Sequence, residues 1–388
     1  MEVCPVLAER PRFDVADIVR AHRGALEQQY AISLAQKRVL SAIAACRTPA
    51  LGGHIDVCCS CGHEHHVYHS CRDRHCPKCQ SLSQERWISN RTERLLPTRH
   101  FHVVFTLPSE LRPLCKHVPR EMYDALFEAA SRTLLDLAAS KWKARIGITA
   151  VLHTWTRDLR LHPHVHLLVT AGGLALDGSR WVARRTFLFP REIMVKVFRG
   201  KMLEALNRLR KQGTFARFDA FQDPEAFDRL LAKLRRLSWV VYAKQPFRRP
   251  EHVLRYLGRY THRVAISNSR LLEVTTTAVT LRTKGEATVT LTAVEFLRRF
   301  VQHVLPDGFH KIRHYGLYAS AHVKTHWAQA RALLVPSSPA PMSTITPAPP
   351  TWEERLLALT GRNVRYCRRC GGPVVQRPLA RAPPALAA

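Results

Sequence analysis

His162-Pro163-His164-Val165-His166-Leu167-Leu168-Val169, followed by Gly172-Gly173, is the stretch on which the reading of this chain turns. Side chains alternate faces along a strand, so His164 and His166 share one face and Val165 points to the other. The apolar run 167–169 reads as a buried strand that the glycine pair closes. Two imidazoles on one face offer a divalent cation half a site, and because imidazole suits several such ions, the pair does not fix the metal. The plainer reading is a pair of histidines that only pack or face solvent, as an isolated His-x-His often does.

Two ligands do not complete a metal site. Residues 146–156 are strand-like, and a hairpin turning near 159–160 would set His153 across from His166, which makes His153 the expected third ligand. The alternative is His252, farther along the chain. His162 is the poorer candidate because Pro163 interrupts the strand register, and a solvent or phosphate contact suits it better.

Tyr256-Leu257-Gly258-Arg259-Tyr260 places two phenols four residues apart, on one face of a helix expected over 250–260. Pro250 and Glu251 suit its first turn. Two such aromatics ordinarily fill a core. Arg255, Arg259, His262 and Arg263 crowd the same segment, however, and a helix that meets a phosphodiester has more use for such cations than a core helix.

The chain has 388 residues, with 60 Lys+Arg against 30 Asp+Glu, a net charge of +30. That excess points to a polyanionic partner, nucleic acid first, although ribosomal or membrane-surface association would also produce it. The basic residues recur along almost the entire chain, which favours an extended contact surface over a basic tail. With 46% hydrophobic residues, the chain can build two or three cored domains. No apolar run approaches the ~20 residues of a membrane helix, and the N-terminus lacks a signal-peptide pattern. A soluble, cytoplasmic protein is expected, with no membrane partner and no small-molecule substrate. Its eleven cysteines then read as metal ligands and buried thiols in preference to disulfides.

Cys58-x2-Cys61-Gly62 and Cys76-Pro77-Lys78-Cys79 form two knuckle-like pairs, with Cys71 and His75 between them. Two facing turns of this kind would close a four-thiolate structural zinc shell of Cys58, Cys61, Cys76 and Cys79. Cys71 or His75 could replace one member. A second, solitary pair, Cys367-x2-Cys370-Gly371-Gly372, is half a zinc site unless ligands come from elsewhere.

The remaining pattern predicts helices over 14–46, 80–95, 121–141, 191–211, 224–237, 293–303 and 352–359. Strands are expected as a hairpin within 54–68 and over 101–107, 238–244, 271–282 and 286–292. Strands often follow one another directly, without a βαβ repeat. The expected fold class is α+β, a central, largely antiparallel sheet with packed helices, preceded by a helical, zinc-ribbon-like module. Ser337–Thr351, rich in Pro and small polar residues, reads as a linker. The expected division is therefore 1–100 as a helical, zinc-binding and DNA-binding domain, 101–335 as the catalytic domain, 336–351 as the linker and 352–388 as the tail.

These motifs, taken in order, resemble the two-tyrosine rolling-circle transposases of bacterial insertion sequences, within the HUH endonuclease superfamily. The resemblance runs through SCRDRHCPKCQ (70–80), VVFTLP (103–108), LHTW (152–155), HPHVHLLVTAGG (162–173), YAKQPF (242–247), YLGRYTHRVAISN (256–268) and KIRHYG (311–316). It implies an enzyme that nicks and rejoins single-stranded DNA at insertion-sequence ends, with Tyr256 and Tyr260 as nucleophiles forming a 5′-phosphotyrosine intermediate. It also implies catalytic magnesium or manganese beside structural zinc, and a place on the bacterial nucleoid. Lys244, Arg259 and Arg263 are the candidate phosphate contacts. A replication initiator or DNA-binding regulator of the same fold is the alternative. An RNA-binding protein with a zinc ribbon is a third reading, resting on charge alone.

Overall fold

The computed structural model describes residues 11–79, 81–184, 188–221, 223, 225–247, 258, 265–335, 351–361 and 363–379. The helical stretch expected over 14–46 is two helices, α1 (Val15–Gln29) and α2 (Leu34–Ala45). Ser33 makes the break: its hydroxyl accepts from the Gln36 N–H while the Gln36 side chain accepts from the Ser33 N–H, a capping box that restarts the helix. The hairpin β1 (Gly53–Cys58) and β2 (Glu64–Tyr68) follows, and then α3 (Ser81–Glu93).

Next come β3 (His100–Thr106), the short α4 (Arg112–His117) and the long α5 (Pro119–Leu137). Helix α5 runs into a π-turn over Ala138–Trp142 and ends where Lys143 turns left-handed, at φ 53°. The strands β4 (Ala144–Arg145), β5 (Gly147–Trp155), β6 (Leu161–Thr170), β7 (Gly172–Ala175) and β8 (Trp181–Ala183) then run almost without pause. Helices α6 (Arg191–Lys211) and α7 (Ala226–Arg236) lead to β9 (Val240–Phe247).

The single strand expected over 271–282 is a hairpin of β10 (Leu271–Val274) and β11 (Ala278–Arg282). The Thr275 hydroxyl accepts from the N–H groups of Thr277 and Ala278, a side-chain turn that three consecutive threonines conceal in a β-rich pattern. Then follow β12 (Thr288–Thr292), α8 (Ala293–Val301), β13 (Ile312–Gly316), α9 (Ala328–Leu334), α10 (Trp352–Thr360) and β14 (Val374–Leu379). The segment expected as a linker lies outside the described residues but for its last, Thr351.

The chain has the α+β architecture expected of it. The central sheet has five strands in the order β13-β5-β6-β3-β9, every neighbouring pair antiparallel. Its registers sort the side chains into two faces. Val103, Phe105, Ile148, Ala150, Leu152, Val165 and Leu167 share the face that belongs to the main core, with Phe127 of α5 and Phe198 of α6. Burying each of the larger of these side chains contributes roughly 1.5–3 kcal/mol. The opposite face carries His102, Thr106, His153, His164, His166, Tyr242, Lys244 and His314. The alternation read in the sequence thus decides which side of the sheet is chemical.

A second core joins α1 and α2 to β10, β11, β12 and α8, and includes Cys46, Cys76 and Cys79. Asp14 caps α1, and Asn268, 254 positions away, donates to the Asp14 carboxylate while its own oxygen accepts from the Val15 N–H. The N-terminal helices therefore pack against the cysteine module and the 265–305 region together. Among the described residues no helix is long and apolar enough to cross a membrane.

Candidate active site and cysteine centres

Three histidines meet where β5 and β6 run side by side. One ring nitrogen from each of His153, His164 and His166 lies within 4.8 Å of the others. The hairpin turns at 156–160, where Thr156 and Arg160 exchange a backbone hydrogen bond of 3.0 Å and Leu159 adopts φ 64°. The regular β5–β6 pairing sets His153 opposite His164, not opposite His166 as expected, because the turn is centred earlier than 159–160; the irregularity comes only beyond it, between His153 and Trp155. The site still forms, because the His153 ring centroid lies 4.1 Å from that of His166 and 5.3 Å from that of His164.

Neighbouring groups fix which nitrogen each ring presents. His164 Nδ1 is 2.7 Å from the His162 carbonyl, which only accepts, so Nδ1 carries the proton and Nε2 keeps its lone pair. His166 Nδ1 is 2.8 Å from Nε2 of His102. His153 stacks on Trp155 at 5.2 Å. Burial holds His164 down to about 4 and pushes His153 and His166 well below the ordinary histidine value, so all three rings are neutral at physiological pH. Neutral imidazoles are what a cation requires, and the residues present fit a three-nitrogen metal site.

Lys244 pairs in register with His102 across β3 and β9, on the histidine face of the sheet, and is exposed. Lys311 is buried close by, its carbonyl accepting from the Leu152 N–H at 2.9 Å, and burial brings its ammonium down to about 7. Neither His102 nor Lys311 is a site residue in the sequence reading. His102 has a signal, since it falls two positions from Val104 on a strand whose alternation is clear, but nothing in the sequence aligns that strand with β6.

Tyr256, Tyr260, Arg259, Arg263 and His252 lie outside the described residues. Gly258, midway between the tyrosines, is helical and buried. It packs so closely on α3 that a Cβ there would stand 2.5 Å from Cδ1 and 2.7 Å from Cγ1 of Ile88. The helix leaving the cysteine module is therefore the surface on which the centre of the tyrosine motif rests.

The cysteines correct the expected zinc shell. Cys58 and Cys61 do not stand with Cys76 and Cys79. The cluster is Cys46, Cys71, Cys76 and Cys79, with Cys79 Sγ 3.5 Å from Cys46 Sγ and 3.6 Å from Cys71 Sγ. Tetrahedral zinc with Zn–S of about 2.3 Å separates its sulfurs by about 3.8 Å, so these spacings suit it. The Cys71 N–H donates to Cys46 Sγ, and hydrogen bonding led by Cys71 lowers the Cys46 thiol to about 6, toward the thiolate a metal needs. Cys46 was missed because it caps α2 with no pair motif of its own.

His75 is not a substitute ligand. Its Nε2 accepts from the Leu305 N–H at 3.2 Å, which ties the module to the turn after α8, so Nδ1–H donates to Asp73 at 2.9 Å within the module. Cys58 and Cys61 instead meet Cys367 and Cys370.

Known transposases resemble the chain over most of its length. Residues 18–107 match a family model described as "Transposase zinc-binding domain", which contains the whole Cys46 cluster, and residues 147–326 match one described as "Putative transposase". The chain is 44% identical over 370 residues to "Putative transposase y4qJ" of Sinorhizobium fredii, covering 92% of each. It is 31% identical to "Transposase for insertion sequence element IS801" of Pseudomonas savastanoi pv. phaseolicola, over 79% of this chain and 75% of that one. No solved structure matches. The chain belongs to the two-tyrosine transposases of bacterial insertion sequences, with their N-terminal zinc-binding domain.

Proposed function

We propose that this transposase nicks and rejoins single-stranded DNA at the ends of its element, using Tyr256 and Tyr260 as nucleophiles beside a divalent cation held by His153, His164 and His166. The observation that carries the reading is the trio of neutral imidazoles gathered on one face of the sheet. When bound, the cation withdraws charge from a non-bridging oxygen of the scissile phosphate.

The residues of the chain do the rest. A tyrosine Oη forms a bond to phosphorus, and the bond from phosphorus to the 3′-oxygen breaks. The tyrosine proton leaves and the departing oxygen takes one up, so the products are a 5′-phosphotyrosine and a free 3′-hydroxyl. An incoming 3′-hydroxyl reverses the step, and no external energy is needed because the ester is conserved. A second tyrosine four residues along the sequence allows two strand ends to be held in succession. Lys244, exposed on the same face, is placed to contact phosphate, and Arg259 and Arg263 flank the tyrosines in sequence. The net charge of +30 fits the polyanionic partner.

The donor set bears on the metal. Three imidazoles favour manganese over magnesium, because a first-row transition ion binds nitrogen more readily than magnesium, which prefers oxygen ligands and retains its waters. The test is incubation of the protein with end-labelled single-stranded and duplex DNA carrying the element ends, with Mn²⁺, Mg²⁺ or EDTA. Cleavage of the single strand with either ion and none with EDTA is expected. Cleavage undiminished by EDTA, or confined to duplex, would reject the reading.

A further inference from the structure

The tail and the N-terminal hairpin build a second cluster of four thiols. Cys58 Sγ lies 3.4 Å from Cys370 Sγ and Cys61 Sγ lies 3.8 Å from Cys367 Sγ, across 312 and 306 residues of sequence. All four sulfurs fall within 4.8 Å of one another. These separations are far longer than the ~2.05 Å of a disulfide and close to the ~3.8 Å edge of a tetrathiolate metal shell.

The two turns that deliver the thiols repeat one geometry. In the first, the Gly62 N–H donates to the Cys58 carbonyl at 3.1 Å with Gly62 at φ 68°; in the second, the Gly371 N–H donates to the Cys367 carbonyl at 3.0 Å with Gly371 at φ 73°. Backbone N–H groups also point at the sulfurs: Cys61 N–H at Cys58 Sγ, Arg369 N–H at Cys367 Sγ and Gly372 N–H at Cys370 Sγ, each at 3.4 Å. Such donors stabilise thiolates. The turns meet so closely that a Cβ on Gly372 would lie 2.3 Å from the Ser60 hydroxyl oxygen.

Apolar packing does not account for the docking of the tail. Strand β14 pairs antiparallel with β1 from Val374 opposite Cys58 to Leu379 opposite Gly53, yet four of its six residues are exposed and none is buried. Ordering a terminal strand costs conformational entropy, and water-exposed ladder hydrogen bonds return little of it. A cation on four thiolates would supply the missing attraction, because metal binding that requires the folded arrangement stabilises that arrangement.

We propose that Cys58, Cys61, Cys367 and Cys370 bind a second structural zinc ion, which fastens the C-terminal tail to the N-terminal hairpin and brings both ends of the chain onto one zinc ribbon. Cys367 and Cys370 lie outside both matched family segments, and the Cys46 cluster is complete without them. A soft, closed four-sulfur shell selects zinc over the hard cations, and Arg368 and Arg369, between the tail cysteines, offset its negative charge.

The test uses the full chain loaded with cobalt, because thiolate-to-cobalt charge-transfer absorption reports sulfur ligands and is blind to the histidine site. Wild type should show the intensity of two tetrathiolate centres, and C367S/C370S half of it with unchanged far-UV circular dichroism. C370H, which keeps a ligand, should retain cobalt where C370S loses it. Zinc removal should make the tail cleavable by trypsin at Arg368 and Arg369. Absorption undiminished in C367S/C370S overturns the proposal, as does a wild-type chain with the intensity of a single centre.

Discussion

Nε2 of His102 stands 2.8 Å from Nδ1 of His166, the two rings parallel within 9° at 5.0 Å. His102 pairs with Leu168 in the β3–β6 ladder, so it reaches His166 on the diagonal, along the face both share. This contact orients the His166 ring within the three-histidine cluster. His102 is thus a positioning residue for the three-histidine site.

His102→Ala is expected to weaken Mn²⁺ binding about 10- to 100-fold, the usual cost of losing an outer-shell partner, with partial recovery in His102→Gln. Titration followed by manganese electron paramagnetic resonance measures both. Unchanged affinity in the alanine variant would remove His102 from the site.

The three-imidazole donor set also predicts a metal preference. Half-maximal DNA cleavage should need at least about tenfold less Mn²⁺ than Mg²⁺. Equal requirements for the two ions would point to oxygen ligands in place of these nitrogens.

Two buried histidines away from the site set an acid limit on stability. His100 donates from Nδ1 to the Thr98 carbonyl and accepts from the Tyr318 hydroxyl, and His303 donates from Nε2 to the Leu159 carbonyl. Burial lowers both to about 4. The unfolded chain, with histidines near 6.5, therefore binds more protons than the folded chain between about 4 and 6.5. Their stabilisation is complete above that window and is lost as pH falls through it, by at most about 1.4 kcal/mol per pH unit for each group. Urea unfolding at stepped pH should show a shallower slope in His303→Gln than in wild type. Equal slopes would show that His303 is not held neutral by the fold.

Gly258→Ala should impair cleavage more than it impairs global stability. The added methyl gains helix propensity but must displace Ile88, whose Cγ1 would be only 2.7 Å away, and overpacking typically costs 1–3 kcal/mol at the contact. The double variant Gly258→Ala/Ile88→Ala relieves the clash, and recovery of activity there is the expected result. No recovery would dissociate the tyrosine motif from α3.

The face of each strand in the central sheet was legible because alternation needs only local sequence, and the run from His162 to Val169 therefore gave its own burial correctly. Register was less legible. The turn closes over 156–160, centred before the expected 159–160, so the partner of His153 is His164 and not His166, and no residue there announces it. The zinc ligands were the least legible. Spacing identified Cys58-x2-Cys61 and Cys76-x2-Cys79 as knuckles, but which knuckles face each other depends on strand β14 joining β1 from more than 300 residues away. His75 looked like a ligand by composition and proved to be a strut to Leu305, a role that only tertiary contact defines.

The central claim concerns the tyrosines, and the most direct measurement is peptide mass spectrometry of the protein after reaction with single-stranded element ends. The account predicts a nucleotide phosphate covalently attached within the peptide spanning Tyr256 and Tyr260, shifted to the remaining tyrosine in either single phenylalanine variant and absent from Tyr256→Phe/Tyr260→Phe. Strand cleavage that persists in the double variant, with no nucleotide on this peptide in the wild type, would contradict it.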